Sequence, residues 1–206
     1  MIGRAQITGL VLAGGQGARM EGRDKGLELF RNTPLALHAA RRLAPQVHTV
    51  LVSANRNLQR YAAFGWPVLQ DDMAGHAGPL AGLSAGLRHC ATAWLACVPC
   101  DSPLFPEDLV SRLAQSASSQ GAPLAIACAP EGQGLPLRRQ PAFMLVQRQL
   151  ASSLDDFLGA GGRRIGAWLA QHPCVELGFG PPHDPPDAFS NANTLEELQR
   201  LHASTP

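Results

Sequence analysis

The sequence predicts an α/β protein: one three-layer α/β/α domain on a mostly parallel sheet, spanning residues 1–206. Three observations predict it. Short apolar runs alternate with helical patterns along the whole chain, the signature of a sheet with helices on both faces. Of 206 residues, 45% are hydrophobic and 16% charged, ordinary values for a globular chain of one domain. The 21 glycines and 17 prolines punctuate the elements and cluster after apolar runs.

The elements follow in order. Ile7 to Leu12 is a short apolar run ending in glycines, a buried strand. Pro34 opens a helix carrying Leu35, Leu37, Ala39, Ala40 and Leu43, with proline at a first-turn position. Val47–Val52 reads as a strand, Leu58–Phe64 as a short helix and Trp66–Leu69 as a strand. Gly78–Cys90 places Leu80, Leu83 and Leu87 among small residues, a helix packed closely on its neighbour. Trp94–Val98 is a central strand, and Pro106–Ala117 a helix with Glu107 and Asp108 in its first turn. Leu124–Cys128 and Ala142–Val146 are strands, and 131–140 between them, lacking apolar periodicity, reads as a loop. Helices near 147–158 and 163–170, a strand near 174–177, an irregular 180–186 and a last helix capped by Asn193 or Thr194 complete the chain. In parallel sheets ligands bind beyond the carboxyl ends of the strands, which puts the loops after residues 12, 53, 70 and 98 along one edge.

Composition excludes several classes. Seventeen basic against sixteen acidic residues give a net charge of +1, without the basic excess of a nucleic-acid binder. No apolar run reaches 18 residues, so no transmembrane helix is expected, and with the charge balance neither a membrane nor nucleic acid is expected as a partner. Five scattered cysteines do not make a disulfide framework and point to a reducing cytoplasm. Cys97 and Cys100 spell C-x-x-C, but no second ligand pair follows and the pair closes an apolar strand. Buried small side chains are expected there, with redox use as the competing reading.

The chemistry concentrates after the first strand. Residues 12–26 carry Gly14, Gly15, Gly17, Gly22 and Gly26, with Arg19 and Lys25. Glycines let consecutive backbone amides face inward, a cradle for phosphate, and the two cations add charge. The spacing is neither that of the P-loop nor that of the dinucleotide fingerprint, because Lys25 is followed by Gly26 and Met20 stands where the last glycine belongs.

The pattern L-A-G-G-x-x-x-R-M-x-G-x-D-K resembles the signature loop of the nucleotidyltransferases, and most closely that of the molybdenum cofactor guanylyltransferases. Further segments agree in order: Ser53-Ala54-Asn55; Asp71 followed by Gly78-Pro79-Leu80-Ala81-Gly82; Cys100-Asp101-Ser102-Pro103; and Asn191-Ala192-Asn193-Thr194 with Glu196-Glu197-Leu198. Glu21, Ser53 and Leu195 depart from the family's usual glycine, asparagine and proline.

The resemblance implies a Rossmann-like nucleotidyltransferase fold. Its part up to about residue 105 would bind nucleotide, and its C-terminal part the acceptor. It implies GTP and molybdopterin as substrates, Mg2+ as cofactor, and molybdenum cofactor carriers or acceptor proteins as partners. Arg19, Lys25 and Asp101 would be catalytic, with Asp101 also the metal ligand. Leu12, Ala13, Gly14, Gly15, Lys25, Ser53, Asn55, Asp71, Gly78, Pro79, Leu80 and Asp101 would bind nucleotide, Asp72 competing with Asp71 for that role. Arg163, Arg164, Asn191 and Asn193 fall in the acceptor-binding region. The L-A-G-G spelling, against L-A-A-G in cytidylyltransferases, favours GTP. The alternatives are a relative using CTP or a sugar phosphate, and a non-catalytic nucleotide-binding module.

Overall fold

The computed structural model describes residues 1–14, 23–71, 78–130 and 134–204. Nine strands and seven α-helices run among them: β1 Ile7–Leu12, β2 Leu29–Phe30, β3 Thr33–Pro34, α1 Leu35–Leu43, β4 Thr49–Ser53, α2 Leu58–Ala62, β5 Val68–Leu69, α3 Pro79–His89, β6 Trp94–Pro99, α4 Leu109–Gln120, β7 Leu124–Pro130, β8 Leu137–Gln147, α5 Ala151–Gly159, α6 Ile165–Leu169, β9 Cys174–Gly178 and α7 Leu195–Ser204. Seven strands form one sheet in the order β5-β4-β1-β6-β8-β7-β9. Strand β8 runs antiparallel to both neighbours and the remaining pairs are parallel, so the expected mostly parallel sheet is present.

Alternation along the strands splits the core into two layers. Ile7, Val11, Val50, Val52, Ala96 and Val98 face α1 and α4, while Leu10, Leu51, Leu95 and Cys97 face α3, α5 and α6. Both faces are therefore apolar, as a doubly covered sheet requires. The small residues of α3 let it lie close to the sheet. A methyl at Gly82 would stand 2.6 Å from the Ser53 hydroxyl and 2.8 Å from Leu12. Among the described residues no helix is long and apolar enough to cross a membrane.

Three expectations change. The helix placed at 106–117 starts at Leu109, because 106–108 form a turn in which the Leu109 amide bonds the Pro106 carbonyl at 3.1 Å. Residues 137–140, expected as loop, belong to β8 and pair with 127–130 across a register shift that sets Pro141 in a bulge. The hairpin β2–β3, turned by Arg31 and Asn32 at positive φ, was not anticipated. It carries Phe30, which with Leu35, Ala192, Leu198 and Leu201 forms a small separate core that docks the C-terminal helix.

Candidate active site

The parallel strands end together, and their backbones are joined beyond the last residues. The Ala13 amide bonds the Ser53 carbonyl at 2.8 Å, the Ala54 amide the Leu69 carbonyl at 2.9 Å, and the Cys100 amide the Leu12 carbonyl at 3.0 Å. Leu12–Gly14, Ser53–Asn55, Leu69–Asp71 and Cys100–Ser102 thus line one edge, as parallel topology predicts.

Lys25 sits at the centre of a polar cluster on this edge. Its ammonium lies 2.5 Å from Asp101 Oδ2 and donates to Asn193 Oδ1 at 2.7 Å. The two charged side chains keep 17% and 21% of their surface exposed, so the pair remains open to a ligand. Asp101 is tied into the C-terminal segment twice. The Ala192 amide bonds its carbonyl at 2.8 Å, and the neighbouring Ser102 hydroxyl donates to Asn191 Oδ1 at 2.5 Å. Asn193 is held in turn by a capping box. The Glu197 carboxylate accepts from the Asn193 and Thr194 amides at 2.7 and 3.1 Å, and Thr194 Oγ1 accepts from the Glu197 amide at 3.1 Å. The expected cap of the last helix is therefore Thr194 with Glu197.

A second cluster lies farther along the edge, toward β5. Asn55 donates to Asp71 Oδ2 at 2.6 Å, and the Asp71 amide returns a bond to Asn55 Oδ1 at 3.1 Å. Gly14 is beside it, where an added Cβ would lie 3.6 Å from Asn55 Nδ2. The pair fixes one carboxylate oxygen and leaves the rest of the carboxylate for a ligand's donors. Gly78, at φ 63°, precedes Pro79 and Leu80 in a first turn with no side-chain cap. Ser53 is buried, with its side chain packed under Gly82 and its carbonyl engaged by Ala13.

The remaining sequence candidates divide. Gly15, Arg19 and Asp72 lie outside the described residues. Arg163 donates to the Leu158 and Gly162 carbonyls at 2.9 and 2.7 Å, closing the end of α5, and Arg164 precedes α6. These bonds place Arg163 on the α5 terminus rather than in the Lys25 cluster. Cys97 and Cys100 are buried, as expected of packed small side chains, and burial pushes both thiols up.

Sequence reasoning gave no role to the Ser102 hydroxyl, and it missed the Asn57 and Tyr61 side chains that bind Asp24 next to Lys25. One signal was present in the composition. Lys25 is the only lysine of the 206 residues, every other basic chain among the 17 being arginine.

A mostly parallel sheet whose carboxyl edge carries a lysine paired with a carboxylate fits the nucleotidyltransferase class, and comparison with known proteins assigns the chain to it. The family described as "MobA-like NTP transferase domain" matches residues 9–175. The chain is 53% identical over 205 residues to the molybdenum cofactor guanylyltransferase of Acidovorax ebreus (strain TPSY), covering 98% of this chain and 97% of that protein. It is 49% identical over 204 residues to the protein of the same name from Ralstonia nicotianae, covering 98% of each. The chain belongs to this family. Among solved structures, the molybdopterin-guanine dinucleotide biosynthesis protein A of Archaeoglobus fulgidus shares the fold at a TM-score of 0.75 with 19% identity, covering 95% of this chain and 97% of that one. The 4-diphosphocytidyl-2C-methyl-D-erythritol synthase of Anaerococcus prevotii does so at 0.72 with 8% identity, covering 97% of each.

Proposed function

We propose that this chain transfers GMP from GTP to the terminal phosphate of molybdopterin, releasing pyrophosphate and forming the guanine dinucleotide form of the molybdenum cofactor. The observation that carries the reading is the Lys25–Asp101–Asn193 cluster at the sheet edge in a chain of this family. An acceptor phosphate oxygen forms the new bond to the α-phosphorus, and the bond to the β-phosphate oxygen breaks. Both substrates are anions, so positioning and charge compensation dominate over activation of a nucleophile.

The residues divide the work. Lys25 moves from Asp101 to the phosphates and offsets the charge that grows on them. The role proposed for Gly14 and Gly15 is to offer backbone amides to the leaving pyrophosphate, and that for Arg19 is a bidentate contact. Asp71, held by Asn55, accepts from the guanine N1–H and N2–H groups, while Leu12, Ala13, Ser53 and the Gly78-Pro79-Leu80 turn shape the base and ribose pocket. Asn191 and Asn193 are the residues proposed to meet the acceptor, whereas Arg163, bound to the end of α5, and its neighbour Arg164 have only their place in the sequence to support that role. The part before about residue 105 is thus the nucleotide half and the remainder the acceptor half.

The donor set suits a divalent cation, and Mg2+ in particular. Asp101 is a partly exposed carboxylate that already attracts an ammonium, and Mg2+ commonly takes one or two protein carboxylates and completes its shell with water and phosphates. Such an ion supplies charge neutralisation across the triphosphate. A reducing cytoplasm is part of the same reading, supported by five cysteines scattered too widely along the sequence for a disulfide framework.

The test is pyrophosphate release with Mg2+. Release from GTP that requires molybdopterin supports the reading. Equal release from CTP, or release with a sugar phosphate as acceptor, overturns it. Turnover unchanged in Asp101→Asn would instead support the non-catalytic module.

A further inference from the structure

Lys25 is bracketed by two residues that are both anchored to one buried hydroxyl. Before it, Asp24 accepts from the Tyr61 hydroxyl at 2.6 Å and from Asn57 Nδ2 at 2.8 Å, so each carboxylate oxygen has a donor. After it, Gly26 is buried so closely on the Tyr61 ring and hydroxyl that an added Cβ would collide with the hydroxyl oxygen. Tyr61 is fully buried in the layer beneath, among Leu27, Ala54 and Ala13, and its ring meets Phe64 edge-on at 5.5 Å. The backbone of Lys25 is thereby pinned on both sides to helix α2, a part of the molecule that holds neither Asp101 nor Asn193.

We infer that Tyr61, with Asp24 and Asn57, is a positioning residue that aims the Lys25 ammonium across the sheet edge toward Asp101 and the substrate phosphates. Two physical effects support this. A carboxylate next to a lysine in the chain competes for its ammonium. Occupying both Asp24 oxygens from α2 turns that carboxylate away and leaves Lys25 to Asp101 and Asn193. The lysine side chain itself is a flexible four-carbon stem, so the accuracy of its charge depends on how firmly its base is held. Burial, and then the bond to Asp24, push the Tyr61 phenol far up, so it stays a donor throughout the physiological range. The inference rests on Lys25 acting on substrate, as proposed above, but its first consequence is measurable without substrate.

The experiment uses Tyr61→Phe, which removes one oxygen and keeps the ring, with Asn57→Ala as a second variant and thermal denaturation to verify folding. The chain offers trace acetic anhydride two amines, Lys25 and the N-terminus, and the exposed N-terminus serves as internal reference. The expected result is that Tyr61→Phe changes Lys25 acylation relative to the N-terminus about fivefold, in either direction as the ammonium leaves Asp101 for solvent or for Asp24, while Asn57→Ala moves it the same way. In pyrophosphate release with GTP and molybdopterin, Tyr61→Phe lowers kcat/KM about tenfold in the wild-type background and less than about twofold in Lys25→Met. Unchanged acylation overturns the inference, as does an equal loss of kcat/KM in both backgrounds, which marks a purely structural role. If the wild-type protein shows no turnover at all, the nucleotidyl-transfer reading fails while acylation still decides the latch.

Discussion

The two polar clusters on the sheet edge hold a carboxylate in opposite ways. Asp101 faces an ammonium, and the contact joins three segments far apart in sequence: Lys25, Asp101 and Asn193. Asp71 faces an amide, and the contact joins two adjacent strand ends by a reciprocal pair of neutral-donor bonds. A cation near a carboxylate is mobile charge that can be redirected to phosphates as substrate enters. An amide fixes a carboxylate's orientation without supplying counter-charge, which suits hydrogen-bond recognition of a base. On the proposed function the edge would separate rate, at the Lys25 end, from base choice, at the Asp71 end.

Substitutions sharpen that separation. Lys25→Met has the largest expected effect, a fall in kcat/KM on the order of a hundred- to thousandfold with the nucleotide preference unchanged. Lys25→Arg restores little of it, because a planar fork does not fit where one point charge sits between Asp101 and Asn193. Steady-state kinetics with GTP and CTP checks both. Asp71→Asn comes next: the GTP over CTP preference drops about tenfold or more, mostly through KM, because buried donors of guanine lose their acceptor. A loss of kcat with preference intact would break the comparison. The smallest effect belongs to Thr194→Ala, which removes the Oγ1 half of the capping box and costs about 1 kcal/mol of stability. Its denaturation midpoint falls slightly and kcat/KM only a few-fold, with no change in nucleotide preference, because the cap steadies Asn193 and not Asp71.

Much of this was legible in the sequence, for identifiable reasons. Strand β1 and helix α3 carry clean apolar patterns bounded by glycine or proline, and their observed limits fall within a residue of those expected. Lys25 and Asp101 stood in recognisable turns. Residues 137–140 escaped notice because Arg138, Arg139 and Gln140 lack apolar alternation on a half-exposed stretch, and Pro141 interrupts the strand at its bulge. The β2–β3 hairpin is two residues per strand, too short for any periodicity, and its value lies in the distant partners Ala192 and Leu198. Tyr61 read as one more residue of a short helix, since nothing local shows that its hydroxyl meets Asp24.

The chain alone thus determined the layered sheet, the edge at which ligands meet it, and the residue types of the site. Periodicity and turn chemistry are local, and parallel strands can end only at a common edge. The tertiary structure decided which side chains meet. Lys25 reaches Asn193 across 168 positions of sequence, and Tyr61 reaches Asp24 across 37. Such contacts are set by how helices and loops pack above the sheet, and hydrogen bonds between distant segments leave no periodic trace in the segments themselves.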